Sequence, residues 1–305
     1  MKRFKSALFF ILSTALFAQT GARQPDTEPA FAKQAHELMH EGKYPEALAI
    51  FQNALRQAPT SREANIGAGV VLDLLQRGAE ARKYFEQAIE SAPDEETRAG
   101  ANRSMAISWA FDGNCQMTVQ YEQKVLDYAK AKGDYYRAGE IADEEARVCM
   151  DTGDIETSMV WYEEGRKLGL QEPNLSQARK DLWDFRFANA EARAAVRSNE
   201  DDPMPHIAAA KAILDRGTNP DQLQFMPALT GYVAFYQKNF QAALNDLQKA
   251  NQNDPFIQCL MAQAYENLGQ KNKATEFYRK AAFSGIHNPA AAYAIPFSEK
   301  KLGIH

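Results

Sequence analysis

The chain has 305 residues, 45% hydrophobic and 25% charged, enough apolar material for a core in one large or two medium domains; this excludes a chain disordered by composition. Lys and Arg number 35 against 40 Asp and Glu, a net charge of −5, and no long basic run follows the N-terminus. That balance argues against nucleic acid as partner, because a nucleic-acid surface needs clustered Lys and Arg.

From the N-terminus, Lys2, Arg3 and Lys5 form a positive start, residues 7–17 are apolar, and small residues follow at Ala18, Thr20, Gly21 and Ala22. The apolar run is too short to span a bilayer comfortably, and the order of the three parts is that of a secretory signal peptide, residues 1–22, with Thr20 and Ala22 at the −3 and −1 positions of cleavage. The chain is therefore expected to be exported, periplasmic or secreted. Residues 23–29 are read as a flexible segment. No later stretch has the apolar length of a transmembrane helix, so no membrane span is expected in the mature chain.

Next comes a repeat. Residues 31–59 and 65–93 both end in Ala-Pro, and Pro59 and Pro93 stand 34 residues apart. In the same register Ala35 aligns with Gly69, Leu38 with Leu72, Ala47 with Ala81, Phe51 with Phe85 and Ala54 with Ala88. Residues 229–255 repeat the pattern with Gly231, Phe240, Ala243, Ala250 and Pro255. Residues 259–282 do so with Ala262, Tyr265, Gly269, Ala274, Tyr278 and Ala281. Small residues in mid-helix let two antiparallel helices approach, and large ones fill the space between layers. Gly42 and Gly269 fall in the turns. Asn219-Pro220, Asp254-Pro255 and Asn288-Pro289 read as helix starts, a capping side chain followed by proline. No stretch alternates with period two, so no sheet is expected.

These residues resemble the consensus of the tetratricopeptide repeat (TPR). The resemblance is strong over about 28–61, 62–95, 224–255 and 256–287 and weaker between them. Residues 99–132 place Thr118 where the family has Ala, residues 139–170 place Gly165 there, and residues 178–215 have an irregular turn over 199–205. It implies an all-α superhelix, a solenoid of about seven antiparallel helix pairs with a capping helix over residues 289–302 and a concave face lined by the first helix of each pair. The chain divides into an N-terminal block, 30–170, a junction, 171–223, and a C-terminal block, 224–305. Cys115 and Cys149 lie one repeat length apart, 34 residues. Two buried thiols are the expectation and a disulfide the alternative.

The family pattern aims Arg147 and Met150, Arg186, Asn189, Arg193 and Arg197, and Phe225, Ala228, Tyr232, Phe235 and Tyr236 into the groove. Aromatics and Arg dominate binding hot spots, and Arg holds carboxylates with paired hydrogen bonds. The candidate partner site is therefore Arg147, Arg193, Arg197, Tyr232, Phe235 and Tyr236, and the expected partner is a protein or peptide with an acidic element; self-association is a further form. The alternative has the aromatics as packing and the arginines paired with Glu191, Asp201 and Asp202. Ile66, Val70, Leu74, Ile107 and Phe111 form a second apolar strip, either open or covered by residues 24–30. The Lys and Asn of the family's carboxylate clamp are not matched, since their places hold Ala32 and His36.

Residues 36–40, HELMH, match a zinc-protease motif, with His36 and His40 as a candidate metal pair. The motif starts about 14 residues after the cleavage site, leaving no room for the sheet such a helix needs, and no third ligand follows at close spacing. The expected function is thus a non-enzymatic scaffold without cofactor. A metal-dependent hydrolase and a carrier of a small molecule or glycan are the alternatives.

Overall fold

The structure, a computed structural model, describes residues 29–199 and 201–304. The segment read as a signal peptide and nearly all of 23–29 lie outside the described residues. Within them the chain is helical, with no strand. The helices run in pairs: α1 (Ala30–His40) with α2 (Tyr44–Gln57), α3 (Arg62–Leu74) with α4 (Gly78–Glu90), α5 (Glu95–Phe111) with α6 (Cys115–Ala131), and α7 (Tyr135–Thr152) with α8 (Ile155–Gly169). Then follow α9 (Gln177–Ser198) with α10 (Met204–Leu214), α11 (Met226–Tyr236) with α12 (Phe240–Leu247), α13 (Pro255–Asn267) with α14 (Lys271–Ala282), and a single last helix, α15 (Pro289–Leu302). Consecutive helices pack on each other, so the array is a solenoid of seven pairs.

The repeat residues do what their sizes suggest. Ala35, Ala47 and Phe51 are fully buried in the first pair, as are Ala81 and Phe85 in the second. A methyl group added at Gly69 would fall 2.5 Å from the Phe85 ring, so the small position exists to receive that ring. Asp94, Asn114, Asp134, Asp154, Asn239, Asp254 and Asn288 each accept a hydrogen bond from a backbone N–H in the first turn they cap, which stabilises a helix by about 1 kcal/mol per cap. Asn219 departs from this. It makes no cap bond, and its amide donates instead to the carbonyl of Ala178 at 2.7 Å; Pro220–Phe225 forms a 3-10 turn before α11 begins.

The two substitutions at the family's alanine position have local causes. Thr118 is buried, and its hydroxyl donates to the carbonyls of Asn114 at 2.9 Å and Ala106 at 3.3 Å, so the extra polar group is satisfied. Gly165 faces Gly139 across the α7–α8 contact so closely that a methyl group on it would lie 3.0 Å from the Gly139 carbonyl and 2.6 Å from Asp143. Alanine does not fit there.

Two expectations are corrected. Cys115 and Cys149 are joined by a disulfide, with Cα atoms 4.9 Å apart, tying the start of α6 to the last turns of α7. Buried thiols had been expected; instead the one-repeat spacing puts both residues at the same edge of adjoining pairs. The last helix does more than cap the end. It packs on α13 and α14 and also on α5 and α7, with Ala291, Ala292 and Ile295 in the N-terminal core and Ala290 and Ala294 in the C-terminal core. Residues 289–297 of this helix are apolar on all sides, a stretch stable only when enclosed, and its small residues let neighbouring helices close on it. Of the strip, Leu74, Ile107 and Phe111 are therefore buried in the core that Ala291, Ala292 and Ile295 join, with the His287 ring stacked on Phe111, while Ile66 and Val70 are half-buried.

Candidate functional site

The last turns of α7, α9 and α11 converge near the first turn of α13, and their side chains build the candidate site. Asp151, one helical turn beyond Arg147, has a side chain only 2% exposed. It accepts a hydrogen bond from Arg193 Nη2 at 3.2 Å and pairs with Arg147 Nε at 3.6 Å. Arg193 also donates to the Tyr162 hydroxyl at 3.4 Å and lies 4.6 Å over the Tyr232 ring. Arg197, one turn further along α9, donates to the hydroxyls of Tyr232 at 3.2 Å and Tyr236 at 3.3 Å and stacks over Tyr236. Arg147 stands 4.9 Å over the Phe256 ring.

The aromatics form a continuous frame. Tyr232 and Tyr236 meet at 4.6 Å, Phe235 meets Tyr236 edge-on at 5.2 Å, and Tyr232, Phe256 and Tyr293 follow in sequence. Tyr232 is 2% exposed and belongs to the core, whereas Phe235, Tyr236 and Arg197 are half-buried at the rim. Burial raises the carboxyl of Asp151, and Arg193, Arg147 and Arg197 pull it back down. Burial pushes the Tyr162 hydroxyl up to about 12, so it remains a neutral hydrogen-bonding group. Burial also works against the charge of Arg197, which Tyr232 and Tyr236 support.

Charge decides what this arrangement can do. Three guanidiniums stand around one carboxylate, Asp151, which Arg147 and Arg193 contact directly, and among the described residues Arg197 has no carboxylate at ion-pair distance. Guanidinium does not lose its proton in proteins, so the surplus cannot be removed by titration. It calls for an anion, and the planar fork of Arg197 beside an aromatic rim suits a carboxylate.

All six residues singled out in the sequence are thus brought together. Met150 is not on this wall; it is fully buried in the core with Ala146 and Tyr162. Phe225 is exposed in the 3-10 turn. Arg186 pairs with Glu140 at 3.3 Å and Asp143 at 3.8 Å, not with Asp201 or Asp202. Asp151, Tyr162, Phe256 and Tyr293 escaped the sequence reading. Asp151 carries a usable signal, its one-turn spacing from Arg147; Tyr293 carries none, since only the docking of α15 places it here. His36 and His40 are exposed on α1, with the His36 ring 6.1 Å from Phe51, and among the described residues no three His, Cys, Asp or Glu come together as a metal site. A cleft of about 410 Å³ lies elsewhere, between α6 and α8, lined by Leu126, Val160, Trp161 and Lys167 among others.

Stacked antiparallel helix pairs with a charged aromatic wall define a helical-repeat protein of the binding-scaffold class. TPR profiles match residues 38–101 and 257–282, and with the pair geometry above they make the chain a member of the tetratricopeptide-repeat family. Among solved structures it is similar to a tetratricopeptide repeat protein from Parabacteroides merdae, at 10% identity, 88% coverage of this chain and 97% of that one, with a TM-score of 0.48. It is also similar to a chain of the APC/C hetero-tetramer Cut9–Hcn1, at 14% identity, 88% and 48% coverage and a TM-score of 0.43. No curated protein matches. Among the described residues no helix is long and apolar enough to cross a membrane.

Proposed function

We propose that this chain is a non-enzymatic scaffold outside the cytoplasm that holds a partner protein through an acidic element of that partner, received by Arg197 at the rim formed by Phe235 and Tyr236. The single observation behind this reading is the imbalance of three guanidiniums against one buried carboxylate within an aromatic frame. Arg147 and Arg193 hold Asp151 and stiffen the wall; Tyr232 orients Arg197; Phe235 and Tyr236 offer apolar area beside the charge. The extracytoplasmic placement is supported by the signal-peptide pattern of residues 1–22 and by the Cys115–Cys149 bond, a kind of link that persists in oxidising compartments.

The test is in-cell crosslinking of the tagged chain, wild type against an Arg197→Ala/Phe235→Ala variant of unchanged helicity. These positions lie at the rim, so the fold should tolerate both changes. A protein captured by wild type and lost from the variant, with capture weakening as salt rises, is the expected outcome. Equal capture by both would move the binding surface to another face.

A further inference from the structure

One helix of the array lacks a neighbour that its counterparts have. Every other second helix packs on the first helix of its own pair and again on the helix that follows: α2 on α3, α4 on α5, α6 on α7, α8 on α9, α12 on α13 and α14 on α15. α10 packs on α9 but meets α11 only at its margin. The cause is the linker between them. Arg216 and Thr218 donate to the Asp181 carboxylate at 2.6 and 2.7 Å, and Asn219 donates to the Ala178 carbonyl. Residues 216–219 are thereby drawn to the start of α9, and α11 begins away from α10.

The flank left uncovered is apolar. Within α10 only His206 and Lys211 are polar, and each already has a partner, Glu191 at 3.4 Å and Asp215 at 2.6 Å. Met204 is 55% exposed. Pro205, Ala208, Ala209 and Ala212 are exposed beside it, so that residues 204, 208 and 212 form one row with helical spacing and residues 205 and 209 a second. Leu223 on the adjoining 3-10 turn is exposed as well. Charge is divided between the two ends. Just before α10, Asp201 and Asp202 are exposed and have no cation at ion-pair distance among the described residues. At its far end the side chains of Lys211 and Arg216 are more than half exposed.

We propose that the uncovered flank of α10 is a self-association surface, and that its occupant is α10 of a second copy, laid antiparallel about a two-fold axis at Ala208 and Ala209. Rows four residues apart interlock ridge into groove, and alanines at the crossing let the two helices approach closely. Met204 of each copy then lies over Ala212 of the other. The same register sets Asp201 opposite Arg216 and brings Asp202 within reach of Lys211, so the unpaired acids of each copy meet cations of the other, twice over by symmetry. A parallel arrangement would instead crowd the four acids together. The surface uses no residue of the arginine rim and does not rest on the acidic-partner reading.

The experiment is sedimentation velocity on the full chain from about 1 to about 200 µM at low salt. The mass of wild type should rise from one copy toward two across that range, and added salt should shift the rise to higher concentration. Ala208→Glu and Ala208→Lys, at an exposed position where the fold tolerates either, should each weaken the dimer at least about tenfold, because the axis sets like charges face to face. An equimolar mixture of the two variants should restore it. Wild type that stays a single copy at 200 µM would overturn the proposal. So would a dimer of unchanged strength in both variants, which would place the contact on another face. Hydrogen exchange on wild type keeps the test sound if the variants fail to fold. Amides of α10 should exchange more slowly as the dimer fills, and α10 exchange that is the same in monomer and dimer would overturn the proposal equally.

Discussion

The two ends of α7 face opposite electrostatic problems and solve them differently. Toward its start and middle, Glu140, Asp143, Glu144 and Glu145, with Glu122 from α6, meet Arg103, Arg137 and Arg186: five carboxylates against three guanidiniums. Arg103 grips Glu144 with two bonds of 2.8 and 2.9 Å, and Arg186 and Arg137 reach Glu140. Glu145 and one oxygen of Glu122 are buried with no hydrogen-bond partner. Burial raises Glu122 to about 8 and Glu145 to about 10, so both remain protonated near neutral pH and the surplus charge disappears. At the last turns the surplus is positive, and arginine has no such escape. An acidic surplus inside a fold can neutralise itself, whereas one made of guanidiniums must find an anion. This is why the C-terminal end of α7, and not its start, is the binding candidate.

The largest effect in this comparison should come from Asp151→Asn. It keeps the shape of the side chain but leaves Arg147 and Arg193 without their carboxylate, and should cost about 3–5 kcal/mol in urea unfolding. An unchanged midpoint would mean that these arginines are balanced by something other than Asp151. Next is the disulfide that staples the same turns of α7. Replacing Cys115 and Cys149 together by Ser should lower stability by about 2–4 kcal/mol, and reductant should do the same to wild type but not to the variant.

The acidic end supplies the smallest effect, of opposite sign. Glu145 titrates near 4.5 when unfolded and at about 10 when folded, and Glu122 at about 8, so folding favours their protonated forms. Their contribution is complete below about pH 4.5 and is lost as pH rises through the folded values. Thermal unfolding should therefore show stability falling from mildly acid to alkaline pH. Glu145→Gln should flatten that slope, gaining about 1–3 kcal/mol at pH 8 and nothing near pH 4. A variant whose slope matched wild type would assign the pH dependence to other groups.

Much of the array was legible in advance because its information is local. A small residue such as Gly69 and the ring it receives, Phe85, belong to one helix pair, so a 34-residue period exposes both. Asp254 and Asn288 announce helix starts because a cap acts within one turn. Asn219 carries the same pattern and fails, since the carbonyl of Ala178 in another pair competes for its side chain. The candidate wall was legible as a set of positions but not as a circuit. That Tyr232 is core and Arg197 rim depends on how far α13 and α15 close over each residue.

What the sequence alone determined, then, is the secondary structure, the pairing of helices and the small-to-large packing within each pair, because each is set by residues a few tens of positions apart at most. The tertiary structure decided the placement of α15, the burial of Leu74, Ile107 and Phe111, the disulfide and the division of the arginines between structure and rim. The reason is physical: the contact of His287 with Asp73 spans 214 residues and belongs to no period, so only the curvature accumulated over the whole array brings them together.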